Sequence, residues 1–162
     1  MKKEAAEIRQ KVLRDPVNLF AFGLGAGLSP IAPGTAGSLV GLALAWGTME
    51  LPITTRLLVA IVLMVSGVWI CGESARRMGH HDHPGIVWDE IAGIYAALLV
   101  APPSIWAWGL GFGLFRLFDV WKPWPIRDLD HRLKGGLGIM LDDLVAALYT
   151  ALMLGFVGSL ML

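Results

Sequence analysis

A single cysteine, Cys71, leaves the chain without an internal disulfide, so its fold needs no oxidising compartment. Charge is scarce: 16% of residues are Asp, Glu, Lys or Arg, and the formal net charge is +0. With an isoelectric point near 6.9 there is no basic footprint for nucleic acid. Strand signals, internal repeats, low-complexity tracts and linkers are missing too, so 1–162 reads as a single all-helical domain. The glycine-rich run Gly23–Ser38 has neither a following G-K-[S/T] nor a preceding strand, which excludes a Walker loop and a Rossmann fingerprint.

What the chain has instead is apolar length. Hydrophobic residues make up 56% of it and the mean hydropathy is +0.64, values that point to a membrane. The apolar segments are Ala36–Leu51, Arg56–Ile70, Val87–Val100, Ser104–Phe118 and Ile139–Leu162. Several fall short of the ~20 residues that span a bilayer unaided, which implies tilt or local thinning. Leu51-Pro52, Met78-Gly79, Ala101-Pro102-Pro103 and the prolines at 123 and 125 separate them, because proline lacks an amide donor and restricts the residue before it. The fold class expected is all-α: a polytopic membrane bundle of about four or five helices. Residues 1–18, which carry both signs of charge and precede no signal-peptide cleavage pattern, form a cytoplasmic amphipathic segment in this reading. A water-soluble bundle competes, since runs of about 15 apolar residues also fit a buried core helix.

Charge sets the expected orientation. All 13 Lys and Arg except Arg56 fall in the N-terminal segment, the 71–87 loop, the 119–138 loop or the helix ends beside them. The positive-inside rule makes those loops cytoplasmic.

Three polar groups are expected at that face. The glycine-rich run leads into an apolar helix whose free amides, with Thr35 and Ser38, suit a phosphate, although glycines also permit close helix packing. His80-His81-Asp82-His83 precedes Asp89 and Glu90, which lie about 100° apart on a helix start and line one cavity. Simple dipole complementation explains acids at that position but not their apolar surroundings. His81 or His83 suits a general acid, and zinc is a weak reading of that spacing. Arg116 and Asp119 are spaced for an intrahelical ion pair. Lys122 and Arg127 flank Trp121 and Trp124, a mixture suited to the bilayer interface and its phosphates. Asp142 and Asp143 are adjacent carboxylates at an apolar helix start, where mutual repulsion favours a cation between them; hard oxygen ligands without thiolates select Mg²⁺ or Mn²⁺. The C-x5-R spacing from Cys71 to Arg77 matches cysteine phosphatases, but Cys71 ends an apolar helical run with no strand before it and reads as structural.

The ordered blocks GLSPIAPGTAGS, HDHPGIVWDE, RLFDVWKPWPIRDLD and GGLGIMLDD together resemble the phosphatidylglycerophosphatase A family of bacterial inner-membrane lipid phosphatases. The resemblance covers nearly the whole chain after the amino-terminal helix. It implies Mg²⁺-dependent hydrolysis of phosphatidylglycerophosphate to phosphatidylglycerol and phosphate, with N-terminus and site cytoplasmic. The resemblance does not divide the acids into ligands and nucleophile; the residues themselves suggest Asp89, Glu90, Asp119, Asp142 and Asp143 as metal ligands, and Asp89, Asp119, Asp143, His81 and His83 as catalytic. Thr35, Ser38, Arg116, Lys122 and Arg127 bind phosphate. The nucleophile is either a water activated by the ion or an aspartyl carboxylate. A small transporter or channel and a non-catalytic membrane subunit are the competing functions, although a transporter should hold its charges near mid-span.

Overall fold

The computed structural model describes residues 2–79, 83–124, 126 and 135–160, and every regular element among them is helical. Helix α1 (Lys2–Arg14) is followed by the short α2 (Pro16–Ala21) and a 3-10 stretch over Gly23–Leu28. Then come α3 (Pro33–Gly47), α4 (Ile53–Met78), α5 (Trp88–Ala97, running on as 3-10 through Val100), α6 (Ile105–Trp121) and α7 (Gly136–Leu160).

Local chemistry explains most boundaries. Asp15 caps α2 by accepting from the Val17 amide at 2.9 Å, and Pro16 occupies the first helical position, where its missing donor costs nothing. Pro33 opens α3 in the same way. Gly79, at φ 75, closes α4 in the left-handed conformation that glycine adopts without a side-chain clash. Lys122 closes α6 at φ 46, a conformation disfavoured for a residue with a Cβ, and Pro123 prevents any continuation.

Helix α4 runs eight residues beyond Ile70, into what the sequence marks as a loop. The polar residues there are satisfied by the helix and by its neighbour α2. Glu73 accepts from Arg76 and Arg77 at one-turn spacing, and Ser74, fully buried, donates to Asn18 Oδ1 at 2.9 Å. Arg77 also reaches both Asp15 oxygens at 2.8 Å, and the guanidinium holds the Asp15 carboxyl below its usual range.

Helix α5 is the centre of the bundle. Ile91, Ala92, Gly93, Ile94, Tyr95 and Ala97 are all buried, against α3, α4 and α7. The chain runs up and down around it. One end of the bundle therefore collects the starts of α3, α5 and α7 and the finishes of α4 and α6.

Among the described residues two helices are long and apolar enough to cross a membrane, Ile53–Met78 and Gly136–Ser159, fewer than the four or five segments expected. The difference is one of length: α6 has 17 residues and reaches only ~25 Å at 1.5 Å per residue, and α5 has 10. Only 17% of the apolar window of α4 is buried, far less than a core helix of a water-soluble domain would show. Leu58, Ile61, Val62 and Val65 face outward on α4, as do Leu148, Leu152 and Phe156 on α7.

Candidate active site

A cavity of about 420 Å³ opens at the end of the bundle where α3, α5 and α7 begin and α6 finishes. Helix α5 contributes Asp89 and Glu90, α6 contributes Arg116 and Asp119, and α7 contributes Asp142 and Asp143; Lys122 reaches in from the turn after α6.

The acids divide into two kinds. Asp89, Glu90 and Asp143 each bring one carboxylate oxygen within 4.8 Å of the other two. Asp89 Oδ1, Glu90 Oε2 and Asp143 Oδ2 are buried and have no hydrogen-bond partner among the described residues. Three carboxylates in such proximity repel one another, and buried oxygens without donors are costly, so the arrangement fits a hard cation. Asp119 and Asp142 instead face cations. Asp119 forms a short hydrogen bond with Arg116 Nη1, and Asp142 Oδ2 accepts from Lys122 Nζ at 2.8 Å. Adjacent helical residues point about 100° apart, which is how Asp142 and Asp143 serve different partners.

Arg116 is the hub of the second set. Its Nη1 lies 3.9 Å from Glu90 Oε1 and donates to Ser38 Oγ at 3.5 Å. Ser38, fully buried, donates in turn to the Gly34 carbonyl at 2.9 Å. Ser38 thus stands behind Arg116, and neither it nor the half-buried Thr35 lines the cavity. His83 is off the wall as well: its Nδ1 accepts from the Gly85 amide at 3.0 Å and its ring lies 5.3 Å from that of Phe22. His81 and Arg127 lie outside the described residues. Cys71 is buried with Sγ 4.0 Å from Met140 Sδ, and Arg77 is engaged by Asp15 and Glu73, so these two residues do not form a phosphate loop.

Two glycines shape the site. A Cβ on Gly93 would sit 2.8 Å from the Phe115 ring and 3.1 Å from Asp143 Cβ, so the close approach that the sequence suggests there is made by α6 and α7 side chains. Gly34 is the residue that sequence reasoning passed over. A Cβ at that position would collide with Glu90 Oε1 and come within 3.2 and 3.3 Å of the Arg116 guanidinium nitrogens. The signal was available in Pro33-Gly34 at the start of an apolar run, but nothing in the sequence says which helix meets it.

The all-helical bundle thus has apolar outer faces and, at one end, a cavity lined by acids and by two cations, Arg116 and Lys122. A family model described as Phosphatidylglycerophosphatase A matches residues 19–158, and the chain belongs to that family. It is 44% identical over 157 residues to "Phosphatidylglycerophosphatase A" of Escherichia coli K12, covering 96% of this chain and 91% of that protein. A protein of the same name from Haemophilus influenzae Rd is 42% identical over 142 residues, covering 86% and 87%. A Bacteroides thetaiotaomicron protein, provisionally named a phosphatidylinositol-3-phosphatase, is 35% identical over 145 residues, 84% of this chain and 89% of its own. No solved structure matches the chain.

Proposed function

We propose that this chain hydrolyses the phosphomonoester of phosphatidylglycerophosphate, releasing phosphatidylglycerol and phosphate, with Mg²⁺ held by Asp89, Glu90 and Asp143. The observation that carries this is the trio of buried, unpartnered carboxylate oxygens in a cavity that also holds Arg116 and Lys122. When bound, the ion supplies charge neutralisation for the phosphoryl oxygens and activation of a nucleophile. Asp119 and Ser38 aim the Arg116 guanidinium, whose planar fork matches phosphate oxygens, and Asp142 steadies the Lys122 ammonium as a second anchor. Water remains the nucleophile this arrangement favours, because the trio is given over to the ion, and Asp119 and Asp142 to Arg116 and Lys122.

The same reading makes the chain a single polytopic domain of the bacterial inner membrane. Helices α3, α5 and α6 cross with α4 and α7, their short length taken up by local thinning of the bilayer and by burial of their polar ends. Arg76, Arg77, Arg116, Lys122 and the basic α1 share the cavity end and Arg56 the other, so the cavity faces the cytoplasm. Charges gathered at one end rather than at mid-span disfavour the transporter reading.

Purified protein in detergent micelles should release phosphate from phosphatidylglycerophosphate, lose that activity in EDTA and recover it with Mg²⁺. Comparison with phosphatidylinositol 3-phosphate, the lipid named for the Bacteroides relative, tests the head group. Full turnover in chelator overturns the metal assignment. For topology, in a Cys71→Ser background, Ile53→Cys should react with an impermeant maleimide on intact cells and Glu7→Cys should not; the reverse result moves the site to the outer face.

A further inference from the structure

The outward face of α6 carries a shallow apolar groove formed by Gly113, Leu117, Val120 and Trp121, with Arg116 among them. Arg116 and Val120 also line the carboxylate cavity, so groove and cavity are one continuous surface. The cavity end is a ligand site in its own right, because the buried Asp143, 3% exposed, turns an unpartnered oxygen into it.

The glycines of α6 explain the groove's depth. Gly111 faces inward, where a Cβ would lie 2.8 Å from Leu98 and 3.2 Å from Leu154, so packing accounts for it. Gly109 and Gly113 face outward, and a Cβ on either would meet nothing within 4 Å. A glycine inside a helix weakens it, and here no neighbour in the chain requires one. What Gly113 does is notch a face on which Leu110, Gly113, Leu117 and Val120 follow one another at spacings of three or four residues, the three side chains all exposed.

We propose that this groove seats an acyl chain of the phospholipid substrate, which enters the cavity sideways from the membrane past α6. The inference rests on the lipid phosphatase reading above and adds the path and the acyl subsite. Its physical basis is the mixed character of one surface: the Arg116 guanidinium, shared with the cavity, sits among Leu117, Val120 and Trp121, and Gly113 opens the face one turn further from the cavity end. Gly109 and Gly113 also have the spacing through which membrane helices dimerise. A second copy packed there would cover Val120 and the cavity mouth, whereas an acyl chain uses the opening.

The experiment uses the full chain in detergent micelles with long-chain phosphatidylglycerophosphate and its water-soluble short-chain analogue. Gly113→Leu fills the notch without a clash, so its melting temperature should match or exceed the wild type. The ratio of kcat/KM for long-chain over short-chain substrate should fall about tenfold, the effect of displacing about two methylenes from contact. Gly155→Leu is the control, an open glycine on α7 away from the cavity, and should leave the ratio unchanged. An unchanged ratio in Gly113→Leu overturns the proposal. So does conversion of a dimer to a monomer by that substitution, measured by light scattering, which assigns the face to a second copy. A diazirine-acyl phosphatidylglycerol should label the 109–121 peptide in wild type and lose that label in Gly113→Leu. Because labelling needs no turnover, a labelled but inactive protein sinks the phosphatase reading and keeps the groove, while absence of label on α6 sinks the groove.

Discussion

Where α3 gives way to α4, Thr48 and Tyr95 share a hydrogen bond at 3.0 Å, and Trp108 donates to the Pro102 carbonyl at 2.9 Å. The cation of that end, Arg56, reaches the Leu98 carbonyl at 3.4 Å. At the opposite end Asp89, Glu90 and Asp143 turn buried oxygens toward one another with no donor among the described residues. Both ends hold buried polar atoms without a partner among the described residues, but at the first it is Arg56 Nε, on a guanidinium that still reaches a carbonyl, while the other concentrates like charge. A purely structural bundle would treat its two ends alike, so the asymmetry marks the cavity end as the place where stability yields to ligand binding.

The largest effect should come from Asp89→Asn and Asp143→Asn. Each keeps the side chain's size and removes the charge a cation needs, so phosphate release should fall on the order of a thousandfold. Melting without Mg²⁺ should be unchanged or raised, because repulsion within the trio is relieved. A drop in melting temperature with activity retained would make the cavity end a structural network like its opposite. Next is Asp119→Asn, which leaves Arg116 without its nearest carboxylate: kcat/KM should fall about tenfold to a hundredfold, and stability should fall by about 1–3 kcal/mol, discounted for the partial exposure of the pair. Asp119→Glu should restore part of the activity if orientation of Arg116 is what matters. Gly34→Ala should reduce Mn²⁺ affinity, read by titration, and cost about 1–3 kcal/mol from overpacking against Glu90 and Arg116. The smallest effect belongs to the quiet end. Thr48→Val should cost about 1 kcal/mol in melting through the lost Tyr95 bond and leave turnover intact; a loss of activity there would erase the contrast between the ends.

Much of the fold is legible in the residues because helix punctuation is local. Pro52, Gly79, Pro102-Pro103 and Pro123 all fall where helices stop, and the apolar runs lie within the observed helices to within a few residues. The extension of α4 past Ile70 was not legible, since it depends on Asn18 from α2 meeting Ser74 and Asp15 meeting Arg77, contacts between residues more than fifty positions apart. The site was legible as a set of acids but not as an arrangement. Asp142 and Asp143 are equivalent in sequence, and only the approach of Lys122 from a left-handed turn distinguishes them. Asp119 and Arg116 announce themselves by spacing, whereas Ser38 looks like a phosphate contact until α3 is docked and its hydroxyl faces the guanidinium from behind.

The enclosure of α5 bears on how the molecule is made. Its ten residues reach only ~15 Å and offer almost no surface of their own, and two of the three carboxylates of the trio ride on it. The third, Asp143, arrives on α7, which follows α6 in the chain. A nascent chain that has emerged only through α6 holds two of the three carboxylates and a central helix with one flank bare. Docking of α7 therefore both covers α5 and brings the third carboxylate to the other two. Chains halted before Gly136 should be recognised by quality control as unfinished, and a split protein expressed as 1–134 and 135–162 should gain protease resistance and cation affinity together, on reassociation.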